Sequence, residues 1–170
     1  MAFMRNVNQG QRGHPSTSDI LAGFADAGCS DARTFQSNGT IVFESDEPAR
    51  VVELAAEAIG VRSGVERGIR WIGLTELAAI IDANGSTHDA HRIEFTLHGG
   101  GPIDGRSPDV VALAAEHRCS LVDTGPGWAV VRNDVDGEGH ATPVLERLTG
   151  RRATSRGLPT IIRLVARFGE

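Results

Sequence analysis

Short apolar runs along the chain alternate with longer stretches in which apolar residues recur at helical spacing. Residues 2–7 form the first short run and read as a strand, followed by the polar loop Asn8-Gln9-Gly10-Gln11-Arg12-Gly13-His14-Pro15. Ile20, Leu21 and Phe24 then share one helical face, with Ser18 as N-cap, Asp19 in the first turn and Gly28 as the stop. Residues 32–36 and 41–45 flank Ser37-Asn38-Gly39-Thr40, a hairpin signal because Asn-Gly accepts positive φ at both central positions. Ser45 and Pro48 open a second helix that carries Val51, Val52, Leu54, Ala55 and Ile59 up to Gly60, and residues 68–74 form another strand. The order strand, helix, strand, strand, helix, strand is the ferredoxin-like plan, here over residues 1–74.

The pattern over residues 75–170 is looser. Leu77, Ile80 and Ile81 predict a helix over 75–84 that stops at Asn84-Gly85. Residues 92–98 alternate strictly, which predicts a strand with one wet face. Ser107-Pro108-Asp109 opens a helix through Val110, Leu113 and Ala114. Residues 121–124 and 128–132 flank Gly125-Pro126-Gly127 as a second hairpin, and Thr142-Pro143 begins a short helix. A last helix runs from Ser155 or Thr160 to Phe168. No sequence repeat stands out, although the second half can echo the first in shape. The fold class that follows is α+β: a ferredoxin-like β-α-β-β-α-β N-terminal half packed against a second, smaller α/β half.

Composition narrows the chemistry. With 40% hydrophobic and 23% charged residues in 170, the chain has the make-up of an ordered globular protein. It holds no apolar run long enough to span a bilayer, and its start has no basic segment leading into an apolar one, so a cytoplasmic protein is expected. Cys29 and Cys119 lie outside any Cys-x-x-Cys pair and read as buried thiols in a reducing compartment. All 17 basic residues are arginine. Without lysine there is no Schiff base and no phosphate-loop lysine, which removes pyridoxal-phosphate catalysis and P-loop phosphoryl transfer. The net charge of −5 is uneven, because Arg147, Arg151, Arg152, Arg156, Arg163 and Arg167 face a single acid in the last stretch. Such asymmetry permits a local anion-binding face and argues against indiscriminate nucleic-acid binding.

Several strings fail as motifs. His98-Gly99-Gly100-Gly101-Pro102 is similar to the oxyanion loop of some esterases, but no Gly-x-Ser-x-Gly elbow accompanies it. His88-x-x-His91 with Asp82, Asp89 and His98 is a weak metal pattern, lacking a helix to fix its geometry, and no metal or cofactor is expected. In Asn133-Asp134-Val135-Asp136-Gly137-Glu138-Gly139 the glycine that a calcium loop needs at its sixth position puts Arg132 and Pro143 at the first and twelfth, so this is a solvated hairpin exit. Three polar strings remain. In the ferredoxin-like plan the first and third strands are neighbours, which brings Arg5, Asn6 and Asn8 towards Gln36, Ser37 and Asn38. The third string, Arg151-Arg152-Ala153-Thr154-Ser155-Arg156, places Thr154 or Ser155 as cap of the last helix with Arg156 beside its positive end.

Taken in order, the three strings resemble those of the bacterial proteins grouped as domain of unknown function 1697. Members open with a pattern like A-L-L-R-G-I-N-V-G-G, continue to Q-S-G-N-V-V-F and close with A-T-T-R-N-W-N-T-V. The counterparts here are Ala2-Phe3-Met4-Arg5-Asn6-Val7-Asn8-Gln9-Gly10, Gln36-Ser37-Asn38-Gly39-Thr40-Ile41-Val42-Phe43 and Ala153-Thr154-Ser155-Arg156. The resemblance implies a ferredoxin-like α+β architecture and no activity. It implies that Arg5, Asn8, Gln36, Ser37, Thr154 and Arg156 stand at the family's polar positions. The chain departs from the pattern where Gly-Asn is reversed to Asn38-Gly39 and where Gly157-Leu158-Pro159 replaces Asn-Trp-Asn.

Three functional classes follow. The first is a binding module whose three strings converge on a phosphate- or carboxylate-bearing ligand, such as a nucleotide or a nucleic-acid end, held by Arg5, Asn6, Asn8, Gln36, Ser37, Asn38, Thr154 and Arg156. The second is a hydrolase or transferase using His14 or His98 as acid–base group. The third is a structural or oligomerisation protein presenting Trp71 or Trp128.

Overall fold

The computed structural model describes residues 1–85 and 88–169, and divides into two units, Met1–Gly73 and Leu74–Glu170. The protein is α+β, and the second unit is the longer of the two rather than the smaller.

The first unit runs β1 (Ala2–Met4), α1 (Thr17–Asp26), β2 (Arg33–Phe35), β3 (Thr40–Val42), α2 (Pro48–Ser63) and β4 (Ile69–Trp71). Its antiparallel sheet has the order β2-β3-β1-β4, the ferredoxin-like arrangement. Ala2, Met4 and Ile41 from the sheet pack with Ile20 and Phe24 of α1 and Ala55 and Ile59 of α2. The two helices approach closely at Gly23, where a Cβ would lie 2.4 Å from Cγ1 of Ile59.

Local chemistry moves three boundaries. The cap of α1 is Ser16 rather than Ser18, because Asp19 stands three residues on and closes a capping box. Ser16 Oγ accepts from the Asp19 N–H at 3.1 Å, and the Ser16 N–H donates to Asp19 Oδ2 at 3.0 Å. Helix α2 continues through Gly60 and stops at Ser63, with Gly64 in the left-handed region at φ 68°. The β2–β3 hairpin is present, but Phe35 and Thr40 form its last pair, so the loop has four residues. Positive φ falls on Gln36 (60°) and Gly39 (73°) and not on Asn38. Asn38 instead uses Oδ1 to accept from Thr40 Oγ1 at 2.8 Å.

The second unit runs α3 (Leu74–Asn84), β5 (Ile93–His98), α4 (Pro108–Glu116), β6 (Cys119–Gly125), β7 (Trp128–Asn133), α5 (Ala141–Thr149), β8 (Ala153–Gly157) and α6 (Leu158–Phe168). Its antiparallel sheet has the order β6-β7-β5-β8. From β5 to β8 this is the connectivity and strand order of the first unit, with α3 and α6 added before and after. Strand β5 has no wet face. Thr96 and His98 are buried, and Thr96 Oγ1 bonds Ser155 Oγ at 2.8 Å. Glu94, half-buried, accepts from Asn133 Nδ2 at 3.0 Å and from the Ala141 N–H at 3.1 Å. The alternation is therefore polar groups satisfied inside the fold, not a solvent face.

Small details repeat as well. The N–H of Met4, last in β1, donates to the Gly39 carbonyl at 2.8 Å, and the N–H of His98, last in β5, donates to the Gly127 carbonyl at 2.8 Å. Gly39 and Gly127 both have positive φ, at 73° and 78°. At the end of α2, Ser63 Oγ donates to the Ile59 carbonyl and accepts from the Val65 N–H; at the end of α5, Thr149 Oγ1 donates to the Leu145 carbonyl and accepts from the Arg151 N–H. Cys29 follows left-handed Gly28 just after α1, and Cys119 follows left-handed Arg118 just after α4. With these anchors the sequence match appears: Ala25-Asp26-Ala27-Gly28-Cys29-Ser30 against Ala115-Glu116-His117-Arg118-Cys119-Ser120, preceded by Asp19-Ile20-Leu21-Ala22 against Asp109-Val110-Val111-Ala112. Each unit carries one copy of the same β-α-β-β-α-β motif.

Candidate functional site

One end of the first unit's sheet gathers the loop leaving β1, the tip of the β2–β3 hairpin and the segment entering β4. The Gln9 N–H donates to the Ser37 carbonyl at 2.7 Å, and the Arg5 N–H donates to the Gly68 carbonyl at 2.8 Å. The loop is further held where the Asn8 N–H donates to Nδ1 of His14 at 3.0 Å. Asn6, Asn8, Gln36 and Ser37 are exposed here, while Arg5 and Asn38 are half-buried. Asn6 and Gln36 take positive φ at 50° and 60°, an uncommon conformation for non-glycine residues.

Charge separates along this unit. The segments at this end, residues 5–16, 36–39 and 64–68, carry Arg5, Arg12 and Arg67 against Glu66. At the opposite end, residues 27–32 and 43–47 carry Asp31, Glu44, Asp46 and Glu47 with no arginine. An open groove of about 520 Å³ lies at that acidic end, lined by Asp26, Cys29, Glu44, Glu47, Arg50 and Leu54 among others. Two of its acids are already paired, Asp26 with Arg62 and Glu47 with Arg50.

Two polar atoms at the basic end are buried donors with no hydrogen-bond acceptor among the described residues: Nε2 of Gln9 and Nε of Arg67. Gln9 is otherwise fixed, since its Oε1 accepts from Thr17 Oγ1 at 2.7 Å. Neither residue is legible as a site in the sequence. Gln9 reads as loop, and Arg67 matters only once β4 is known to start two residues later.

Thr154 and Arg156 belong to the second unit, and the helix cap expected at Thr154 or Ser155 is corrected. Residues Ala153–Gly157 are strand β8, paired with β5, and the residue capping α6 is Gly157. Neither Thr154 nor Ser155 therefore presents a helix start. Thr154, like Arg156, is buried, and Ser155 bonds Thr142 Oγ1 at 2.7 Å as well as Thr96. Nη1 of Arg156 donates to Thr154 Oγ1 at 3.1 Å and to the Ser155 carbonyl at 2.8 Å. Burial of this guanidinium, 8% exposed, lowers its pKa to about 10.

Of the two histidines considered for acid–base chemistry, His14 is half-buried and accepts from the Asn8 N–H, and His98 is buried on β5. Among the described residues no group of three or more His, Cys, Asp or Glu side chains is arranged to hold a metal ion. No helix among them is long and apolar enough to cross a membrane. Trp71 is 41% exposed, and Trp128 packs its ring 6.3 Å from that of Phe95.

The fold and this end define a tandem α+β protein made of two ferredoxin-like units, the first with a polar, cationic strand-exit end. A family model described as Protein of unknown function (DUF1697) matches residues 1–99, and the chain belongs to that family. The match covers the first two polar strings and ends before Ala153-Thr154-Ser155-Arg156. No curated protein and no solved structure matches the chain.

Proposed function

We propose that the first unit is a binding module for a phosphate- or carboxylate-bearing ligand, taken up at the end where β1 exits. The observation that carries this reading is that two buried donors at this end, Gln9 Nε2 and Arg67 Nε, find no acceptor among the described residues. A buried donor left alone costs about 1–3 kcal/mol, and an anionic oxygen is the partner that recovers most of it. Arg5 and Arg12 add positive charge, and the exposed side chains of Asn6, Asn8, Gln36 and Ser37 supply neutral polar groups, with half-buried Asn38 donating from Nδ2 to Gln36 Oε1 at 3.5 Å. Arginine and amide groups with no paired acid and base favour holding an anion over transforming it. A nucleotide phosphate or a phosphorylated nucleic-acid end suits this donor set, since phosphate takes several hydrogen bonds at once.

Isothermal titration of the whole chain with inorganic phosphate, citrate, adenosine monophosphate and 5′-phosphorylated or unphosphorylated oligonucleotides tests the reading. Saturable binding is expected for phosphate-bearing compounds, weakened about tenfold or more by Arg67→Ala, and less by Gln9→Ala. Absence of binding by every anion, or binding that both variants leave unchanged, removes the proposal.

A further inference from the structure

The duplicated motif gives the second unit an end equivalent to the one just described, and the residues there are different. The hairpin glycine is again tied to the last residue of the first strand, Gly127 to His98. The loop leaving β5 is again fastened to the hairpin strand, here by Thr124 Oγ1 donating to the Ile103 carbonyl at 3.0 Å. What changes is the wall. Where β1 continues into Arg5, Asn6 and Val7, β5 continues into Gly99, Gly100 and Gly101. A Cβ on Gly100 would lie 2.5 Å from Cβ of Thr149, so only glycine lets this loop run beside the end of α5.

The end of α5 carries the charge. Thr149 Oγ1, whose proton goes to the Leu145 carbonyl at 2.7 Å, accepts from the Arg151 N–H at 3.2 Å, which fixes the turn through Gly150. Counting back from the strand that pairs with His98 or Met4, Arg151 and Arg152 hold the places of Arg67 and Gly68. Both are exposed, as is Arg106 on the β5 exit loop, and none of the three is in an ion pair among the described residues. Three acids stand near this end, and each accepts hydrogen bonds from N–H groups of the chain. Asp104 Oδ1 accepts from the Arg106 N–H at 3.0 Å, and Glu146 Oε1 from the Ala153 N–H at 3.0 Å. Asp123 accepts from the Thr124 N–H at 2.9 Å and from Asn84 Nδ2 at 3.0 Å.

We infer that the β5-exit end is a second anion-binding site, in which Arg151 and Arg152 contact a phosphate group that lies against the glycine backbone of residues 99–101. It rests on the first-unit reading for the class of ligand, and on the second unit's own residues for the place. Its chemistry differs from that of the first end: exposed guanidinium groups and main-chain N–H donors replace buried side-chain donors, so it takes a phosphate with less demand on the rest of the ligand.

The test is an NMR titration of the isotope-labelled full chain with inorganic phosphate, set against sodium chloride at matched ionic strength. Saturable shifts are expected for the amides of residues 99–101 and 150–153 with phosphate and not with chloride. An Arg151→Ser, Arg152→Ser double variant should weaken that response about tenfold or more while leaving the shifts of Gly10, Gly39 and Gly68 intact. The inference is overturned by no saturable response in residues 99–101 and 150–153, by an equal response to chloride, or by a response that survives the double variant. Loss of response in the first unit alone counts against the first-unit reading and leaves this site standing.

Discussion

The two units use the same six-element path and the same order of strands, but they finish it with different materials. In the first, the strand-exit end is built from long polar side chains, and two buried donors there find no acceptor among the described residues. In the second, glycine replaces those side chains, and the polar groups of the sheet, Glu94, Thr96, Asn133 and Ser155, are bonded in pairs and to the Ala141 N–H and Thr142 hydroxyl of α5. The difference teaches that the motif's fixed parts are few. The strand-to-hairpin backbone bond, the hydroxyl clasp after the second helix and the buried cysteine after the first recur, while the surroundings are free to diverge.

The comparison can be broken at its cores first. Phe24 is fully buried, and its counterpart by the repeat is Ala114. Phe24→Ala should cost about 3–5 kcal/mol by removing the ring from a packed site. The reverse exchange, Ala114→Phe, should cost about 1–3 kcal/mol through overpacking. Urea titrations of the two variants measure both, and equal, small effects would show that the two sites are not packed as the structure has them.

The hairpin glycines come next. An alanine at Gly39 meets positive φ and sits 2.9 Å from Cβ of both Met4 and Val7, whereas at Gly127 it meets positive φ with only the His98 carbonyl at 3.5 Å. Gly39→Ala should therefore cost about 2–3 kcal/mol and Gly127→Ala about 1 kcal/mol. A smaller separation is expected at the helix starts. Ser16 closes a capping box, while Ser107, at the start of α4, makes no side-chain cap bond. Ser16→Ala should cost about 1 kcal/mol and Ser107→Ala less than about 0.5 kcal/mol by thermal unfolding.

The smallest effect is confined to alkaline solution. Burial raises the thiol pKa of Cys119 from 9.0 to about 11, and that of Cys29 moves in the same direction. A group whose folded pKa is raised stabilises the fold fully below its unfolded pKa and loses that contribution as pH climbs through the folded value. The wild-type urea midpoint should thus fall between pH 9 and 11, and Cys119→Ala should flatten part of that fall without abolishing it. Parallel pH dependences in the two proteins would show that thiol ionisation is not the cause.

Much of the fold is legible from residues alone, for reasons that differ by element. Helices α1, α2 and α3 announce themselves through 3.6-residue spacing, and Asn38-Gly39 marks the hairpin even though the turn inside it is of another type. Strand β8 is hidden because Ala-Thr-Ser-Arg-Gly reads as a helix cap: Ser and Thr serve caps and sheet ladders alike, and only pairing with β5 decides. The repeat is hidden because its shared positions are backbone conformations and single hydroxyls, with Ser63 against Thr149 and Gly28 against Arg118. At the candidate site, the loop and hairpin strings are legible as polar segments, but Gln9 and Arg67 become notable only when burial removes their solvent. That is a tertiary property no spacing encodes.

The placement of the two cysteines has a practical consequence. Each unit carries one thiol, 5% exposed at residue 29 and 3% at residue 119, and both are un-ionised at neutral pH because burial opposes the thiolate. Modification by a thiol reagent therefore waits for opening of the unit that holds the sulfur. Peptide-resolved labelling over time is then a pair of clocks, one per half of the chain, that reports which half opens first and how often.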